Sequence, residues 1–198
     1  MTYEIPVTKT QNPKPRPADE SKLGFAKYFT DHMFVMEYDE GKGWHSWRVE
    51  PHAPFLIEPA SAVLHYAQMM FEGMKAYRKP DGSIQLFRPD MNIARMKNTC
   101  ERMCMPEVPG DLFMAGLKAV IEADKDWVPS GKNTSLYIRP FMFGDEVSFS
   151  AAPSDPGRSG GYARSWAAAP SAHPFSPGAA GTAAPASAAA PLPPHFCS

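Results

Sequence analysis

Three groups of residues in this chain have types and spacing that could do chemistry. The first is on the stretch Ser135-Leu136-Tyr137-Ile138-Arg139-Pro140-Phe141. It reads as a strand, on which side chains alternate between faces with a period of two. Leu136, Ile138 and Pro140 then share an apolar side, and Ser135, Tyr137, Arg139 and Phe141 share the other. A phenol beside a guanidinium can hold a carboxylate or another anion over an aromatic wall. Taken alone, the pair reads better as a salt-bridged surface arginine next to a half-buried tyrosine. The second is Arg95, which lies off the apolar stripe of its helix and by itself reads as a solvated arginine. The third is Tyr66 with Phe71-Glu72-Gly73-Met74-Lys75-Ala76-Tyr77, which reads as a helix end running into a strand.

Other chemistries lack their residues. His32, His45, His52 and His65 show no HxxxH, HExxH or Cys/His ligand spacing, so they read as ordinary surface or loop histidines and no metal site is expected. Gly41-Lys42-Gly43 lacks the phosphate-loop pattern, and no serine sits in a GxSxG elbow. Met69, Met70 and Met74 read as core packing. Cys100 and Cys104 are four apart, which is wrong for a CxxC redox pair; with Cys197 they read as free thiols, buried in a reducing compartment. A net charge of −1 without a Lys/Arg block gives no face for nucleic acid. No apolar run approaches the roughly 18–20 residues of a membrane span.

The elements that must position these residues can be read in order. Residues 1–22 alternate Pro13, Pro15 and Pro17 with mixed charges, and read as an extended, mobile arm. The arm has neither the apolar core of a signal peptide nor the acid-poor, Arg-rich pattern of a mitochondrial presequence, which points to a cytoplasmic protein. Phe25–Asp39 and Trp44–Val49 read as paired strands across Asp39-Glu40-Gly41-Lys42-Gly43. Val63, Tyr66, Ala67, Met70 and Phe71 recur at helical spacing, with Gly73 as a stop. Lys75–Arg78 and Ile84–Phe87 flank the turn Lys79-Pro80-Asp81-Gly82. Asp90 and Asp111 read as caps of two helices, one carrying Ile93, Met96, Cys100, Met103 and Cys104 and the other Phe113, Leu117, Val120 and Ile121. Hairpin connections dominate, so residues 23–148 read as an α+β domain with a largely antiparallel sheet.

Several of these stretches together resemble the branched-chain amino acid aminotransferases. They are Phe29-Thr30-Asp31-His32-Met33, His65-Tyr66, Phe71-Glu72-Gly73-Met74-Lys75-Ala76-Tyr77 and Leu86-Phe87-Arg88-Pro89 with Asn92 and Arg95-Met96. Asp124-Lys125-Asp126-Trp127-Val128-Pro129 and Thr134-Ser135-Leu136-Tyr137-Ile138-Arg139-Pro140 complete the set. The resemblance is to eukaryotic-type members of the fold type IV, pyridoxal-phosphate-dependent class. It runs from about Phe25 to Val147 and covers most of that family's small N-terminal domain. It implies that Arg95 holds the phosphate of pyridoxal 5'-phosphate, and that Phe25, Tyr66 and Tyr137 line the pocket for a branched aliphatic side chain, with Arg139 beside Tyr137. It further implies branched-chain amino acids and 2-oxo acids as substrates and a homodimer as the assembly. A D-amino acid aminotransferase of the same fold type fits less well, because Asp-Lys-Asp-Trp-Val-Pro is a eukaryotic-type branched-chain motif.

In that family the Schiff-base lysine and the acid facing the pyridine nitrogen follow the Tyr137-Ile138-Arg139 motif by a long stretch. Here the last lysine is Lys132 and the last acidic residue is Asp155, so no residue matches the catalytic lysine. Residues 149–198 are about three-quarters Ala, Pro, Gly and Ser, lack Lys and Glu, and contain Leu192 as their one Leu, Ile or Val. Such a segment cannot bury enough apolar surface to offset roughly 1–2 kcal/mol per residue of backbone ordering, so it is expected to be disordered. Its bias is what a GC-rich coding sequence yields in a wrong frame, which points to a frameshift, an unspliced intron or a misassigned gene boundary. The expectation is a transaminase fragment inactive by itself; the alternative is a non-catalytic domain that pairs with a full-length subunit.

Overall fold

The computed structural model describes residues 3–146 and 162–172. It is an α+β arrangement in which one antiparallel sheet carries two helices. The strands are β1 (His32–Asp39), β2 (Gly43–Pro51), β3 (Met69–Phe71), β4 (Met74–Arg78), β5 (Ile84–Leu86), β6 (Thr134–Phe143) and β7 (Tyr162–Ala172). Their order is β2-β1-β7-β6-β4-β5, with β3 also paired to β6. The helices are the short α1 (Ala62–Tyr66), α2 (Pro89–Arg102) and α3 (Gly110–Ala123).

The alternation read for residues 135–141 holds: Leu136 and Ile138 are fully buried, and Tyr137, Arg139 and Phe141 are partly exposed on the other face. The buried face meets Met96 and Cys100 of α2 and Leu112, Phe113, Leu117 and Val120 of α3 in one core. Helix α3 lies close on the sheet because Gly116 has no side chain. A Cβ there would come within 2.5 Å of the Phe34 ring.

Several expectations need correction. The helix read through Phe71 ends at Tyr66, where Ala67 takes a left-handed conformation. Met69–Phe71 instead pairs with Phe143–Phe141. Ladder pairing with β6 overrides a weak helical periodicity. The first strand begins at His32, not Phe25, because Gly24 and Ala26 both have positive φ. Asp90 and Asp111 lie inside the first turns of α2 and α3, behind Arg88 and Pro109 at the cap positions. From there they favour the helices through the macrodipole. Cys100 is a buried free thiol, whereas Cys104, exposed beyond the end of α2, is disulfide-bonded and not the free buried thiol expected; Cys197 lies outside the described residues.

The arm is extended, but it is docked along the sheet. Val7 bridges Val49, Thr8 N–H donates to Val49 O at 2.9 Å, and Val49 N–H donates to Pro6 O at 2.8 Å. Glu20 accepts from the N–H groups of Ser130 and Gly131. The open edge of β2 thus gains partners for its main chain. Within the segment expected to be disordered from about Ser150, Tyr162–Ala172 form β7 between β1 and β6. Two facing unpaired edges satisfy a strand's main chain whatever its side chains, so low aliphatic content does not prevent pairing. The rest of the tail lies outside the described residues.

His32, expected at the surface, is buried at the start of β1. Its Nε2 accepts from Thr10 N–H at 2.9 Å, so its proton is on Nδ1, 2.7 Å from Asp124 Oδ1. Asp124 Oδ2 accepts from His32 N–H at 3.0 Å. Burial pushes the Asp124 carboxyl above its ordinary value, against the opposing pull of these bonds. His32→Phe keeps the bulk but removes the ring donor to Asp124 Oδ1 and the acceptor of Thr10 N–H. We expect a loss of about 1–3 kcal/mol of stability, read from urea unfolding.

Candidate functional site

Residues 69–78 form an almost continuous strand along β6. Phe71 pairs with Phe141, Met74 with Ile138 and Lys75 with Tyr137, while Glu72 N–H donates to Pro140 O at 2.8 Å. Period two then sorts the side chains. Met70, Glu72, Met74 and Ala76 fall on the buried face, and Met69, Phe71, Lys75 and Tyr77 fall on the other. One ionisable residue therefore occupies an apolar row.

The Glu72 carboxylate, 3% exposed, is satisfied by four donors. Arg95 gives Nε at 2.7 Å and Nη2 to the other oxygen; Asn92 Nδ2 donates at 3.0 Å and Gly73 N–H at 3.3 Å. Burial works to raise the Glu72 pKa, but these hydrogen bonds and the Arg95 charge outweigh it and hold it below the ordinary glutamate value. Arg95 is accordingly not a free helix arginine. Its side chain is 63% exposed, and its guanidinium is held through Nε and Nη2 with the Nη1 edge left over.

That guanidinium lies on a cavity of about 440 Å³, within the ordinary range of small-molecule sites. Gly73, Lys75, Tyr77, Arg88, Asn92 and Tyr137 are among its walls. Gly73 is required by the packing, since a Cβ would meet Tyr137 Oη at 2.5 Å. Arg95, Arg88 and Lys75 make the lining cationic, and no acidic residue is among it. The donor set suits a phosphate-bearing ligand.

Tyr137 joins the cavity to the outer sheet face. Its hydroxyl accepts from Arg139 Nε at 2.9 Å, and its ring meets Phe25 edge-on at 5.1 Å. The Arg139 guanidinium lies 4.2 Å over the Phe71 ring. The structure thus brings Arg95, Tyr137, Arg139 and Phe25 into one connected group. The Tyr66 ring lies at a tilt beside His65, with centroids 6.3 Å apart. It sits half-exposed on α1, which is tied to the end of β6 by Ala62 N–H to Glu146 O and Val63 N–H to Gly144 O. Sequence reading missed Glu72 and Asn92. The signal was present: treated with period two instead of 3.6, residues 70–76 place Glu72 among buried positions, where a charge must have a partner. Among the described residues no His/Cys/Asp/Glu cluster could hold a metal ion, and no helix is long and apolar enough to cross a membrane.

The fold and the cationic cavity beside β6 define a small α+β domain with a site suited to an anion. No model of a known family matches the chain. Individual relatives do. The chain is 52% identical over 148 residues to "Branched-chain-amino-acid transaminase 1" of Bacillus subtilis, covering 75% of this chain and 41% of that protein. It is 44% identical over 156 residues to a Mycobacterium tuberculosis branched-chain-amino-acid aminotransferase, covering 77% and 42%. The branched-chain amino acid aminotransferase structure from Escherichia coli superposes with a TM-score of 0.50 at 21% identity, over 68% of this chain and 40% of that one, which supports the fold. The chain is a homologue of the N-terminal portion of the branched-chain aminotransferases. It spans about 40% of the length of the curated relatives it matches.

Proposed function

We propose that this chain supplies the phosphate-holding and side-chain-recognising half of a branched-chain transaminase site. Arg95, braced on Glu72 at the rim of the Gly73–Tyr137 cavity, is the observation that carries this reading. Its Nη1 edge would hold the phosphate of pyridoxal 5'-phosphate. When bound, that cofactor supplies the electron sink for moving an amino group between a branched-chain amino acid and a 2-oxo acid. Phe25 and Tyr137, with Tyr66 as the family resemblance implies, would form an aromatic wall for an isobutyl- or isopropyl-sized group. Arg139, fixed by Tyr137 and Phe71, would present its remaining N–H groups to a substrate carboxylate.

Transamination also needs an amine that links to the cofactor and shuttles the α-proton. None of these residues is a lysine matched to that role, and Lys75, though on the cavity, would have to approach from another direction. The expected outcome is that the purified chain retains pyridoxal 5'-phosphate reversibly and shows no transfer from leucine, isoleucine or valine to 2-oxoglutarate. Turnover by this chain would overturn the reading.

A second reading is a non-catalytic domain that pairs with a full-length subunit. The exposure of Phe71, Phe87, Leu64 and Met91 favours it, since such apolar surface marks contact sites. Co-purification with an intact homologue tests it.

A further inference from the structure

Resting on the reading of Arg95 as the phosphate holder, we propose that Glu72 is a positioning residue that presets this arginine for its anion. The Glu72 carboxylate is immobilised from both ends. Its backbone N–H is spent on Pro140 O, and its oxygens accept from Asn92 Nδ2 and Gly73 N–H besides Arg95. Asn92 also donates to Gly73 O at 3.1 Å, which ties the brace to the cavity wall. Bonding through both Nε and Nη2 fixes the plane of the Arg95 guanidinium as well as its place. The fork that remains points from a buried support, so an arriving phosphate need not order a free side chain.

Positioning and bare charge predict opposite signs. The Glu72 carboxylate is an anion beside an anion site; if only field mattered, removing it would tighten phosphate binding. If it positions Arg95, removing it must weaken binding. The experiment is titration of the whole chain with inorganic phosphate at neutral pH, with thermal unfolding recorded for every variant. Glu72→Gln keeps the shape and one acceptor oxygen but loses the charge-assisted fork, and phosphate affinity should fall by about tenfold, as for other supports of a binding group. Glu72→Asp keeps the charge but draws it back by one methylene. It should also weaken binding, and it decides the matter where Glu72→Gln does not fold. Unchanged or tighter phosphate binding in a folded variant overturns the proposal, even if stability drops. Arg95→Ala separates the two levels: if it leaves phosphate affinity unchanged, the assignment of Arg95 itself is what fails.

Discussion

Phe34→Ala should lower the unfolding free energy by about 3–5 kcal/mol, the largest stability effect expected of a single substitution here. The ring is fully buried in β1 and fills the space that Gly116 leaves under α3, with ring atoms 2.5–2.7 Å from where a Cβ would stand. Truncation removes a fully buried aromatic ring and opens a hole between helix and strand, which both hold their positions through the surrounding core. Urea unfolding at unchanged m-value measures it. The reciprocal change, Gly116→Ala, overpacks the same contact and should cost about 1–3 kcal/mol.

Arg95→Ala has the largest expected effect on the site. It strips two charge-assisted donors from a carboxylate that is 3% exposed, leaving Asn92 and the Gly73 N–H. Because Arg95 itself is well exposed, the pair is only half-desolvated, and a loss of about 1–3 kcal/mol is the appropriate scale. The pH dependence has a definite sign. The folded-state pKa of Glu72 is depressed below the ordinary value of 4.5, so its contribution is fully present above 4.5 and is lost as pH falls through the depressed value. The stability gap between the native chain and Arg95→Ala should therefore close in acid. Unfolding midpoints at a series of pH values check this, and a gap that widens in acid would contradict the assignment of the pair.

Much of this was legible before any coordinates. The 135–141 alternation put Tyr137 and Arg139 on one face, and strong turn residues at 79–82 set the β4–β5 hairpin. Motif resemblance then singled out Arg95. What was not legible depended on distant pairing. Residues 69–71 carry a helical spacing that only the ladder with β6 overrules, and reading them as helix hid the period-two row that exposes Glu72. His32 carries no local signal of burial; its partners, Thr10 and Asp124, are 22 and 92 residues away. The strand at 162–172 was hidden for another reason. Its place is set by open edges on β1 and β6, and its own composition gives no hint of them.

On the proposed reading, this chain would grip the cofactor through a braced arginine and not through a lysine. That reading is tested most directly by equilibrating the chain with pyridoxal 5'-phosphate, reducing with borohydride and weighing the intact protein. The account predicts saturable binding before reduction that is lost with unphosphorylated pyridoxal and in Arg95→Ala, and no stoichiometric mass adduct afterwards. A stoichiometric adduct at a single lysine, or binding indifferent to the phosphate and to Arg95, would contradict it.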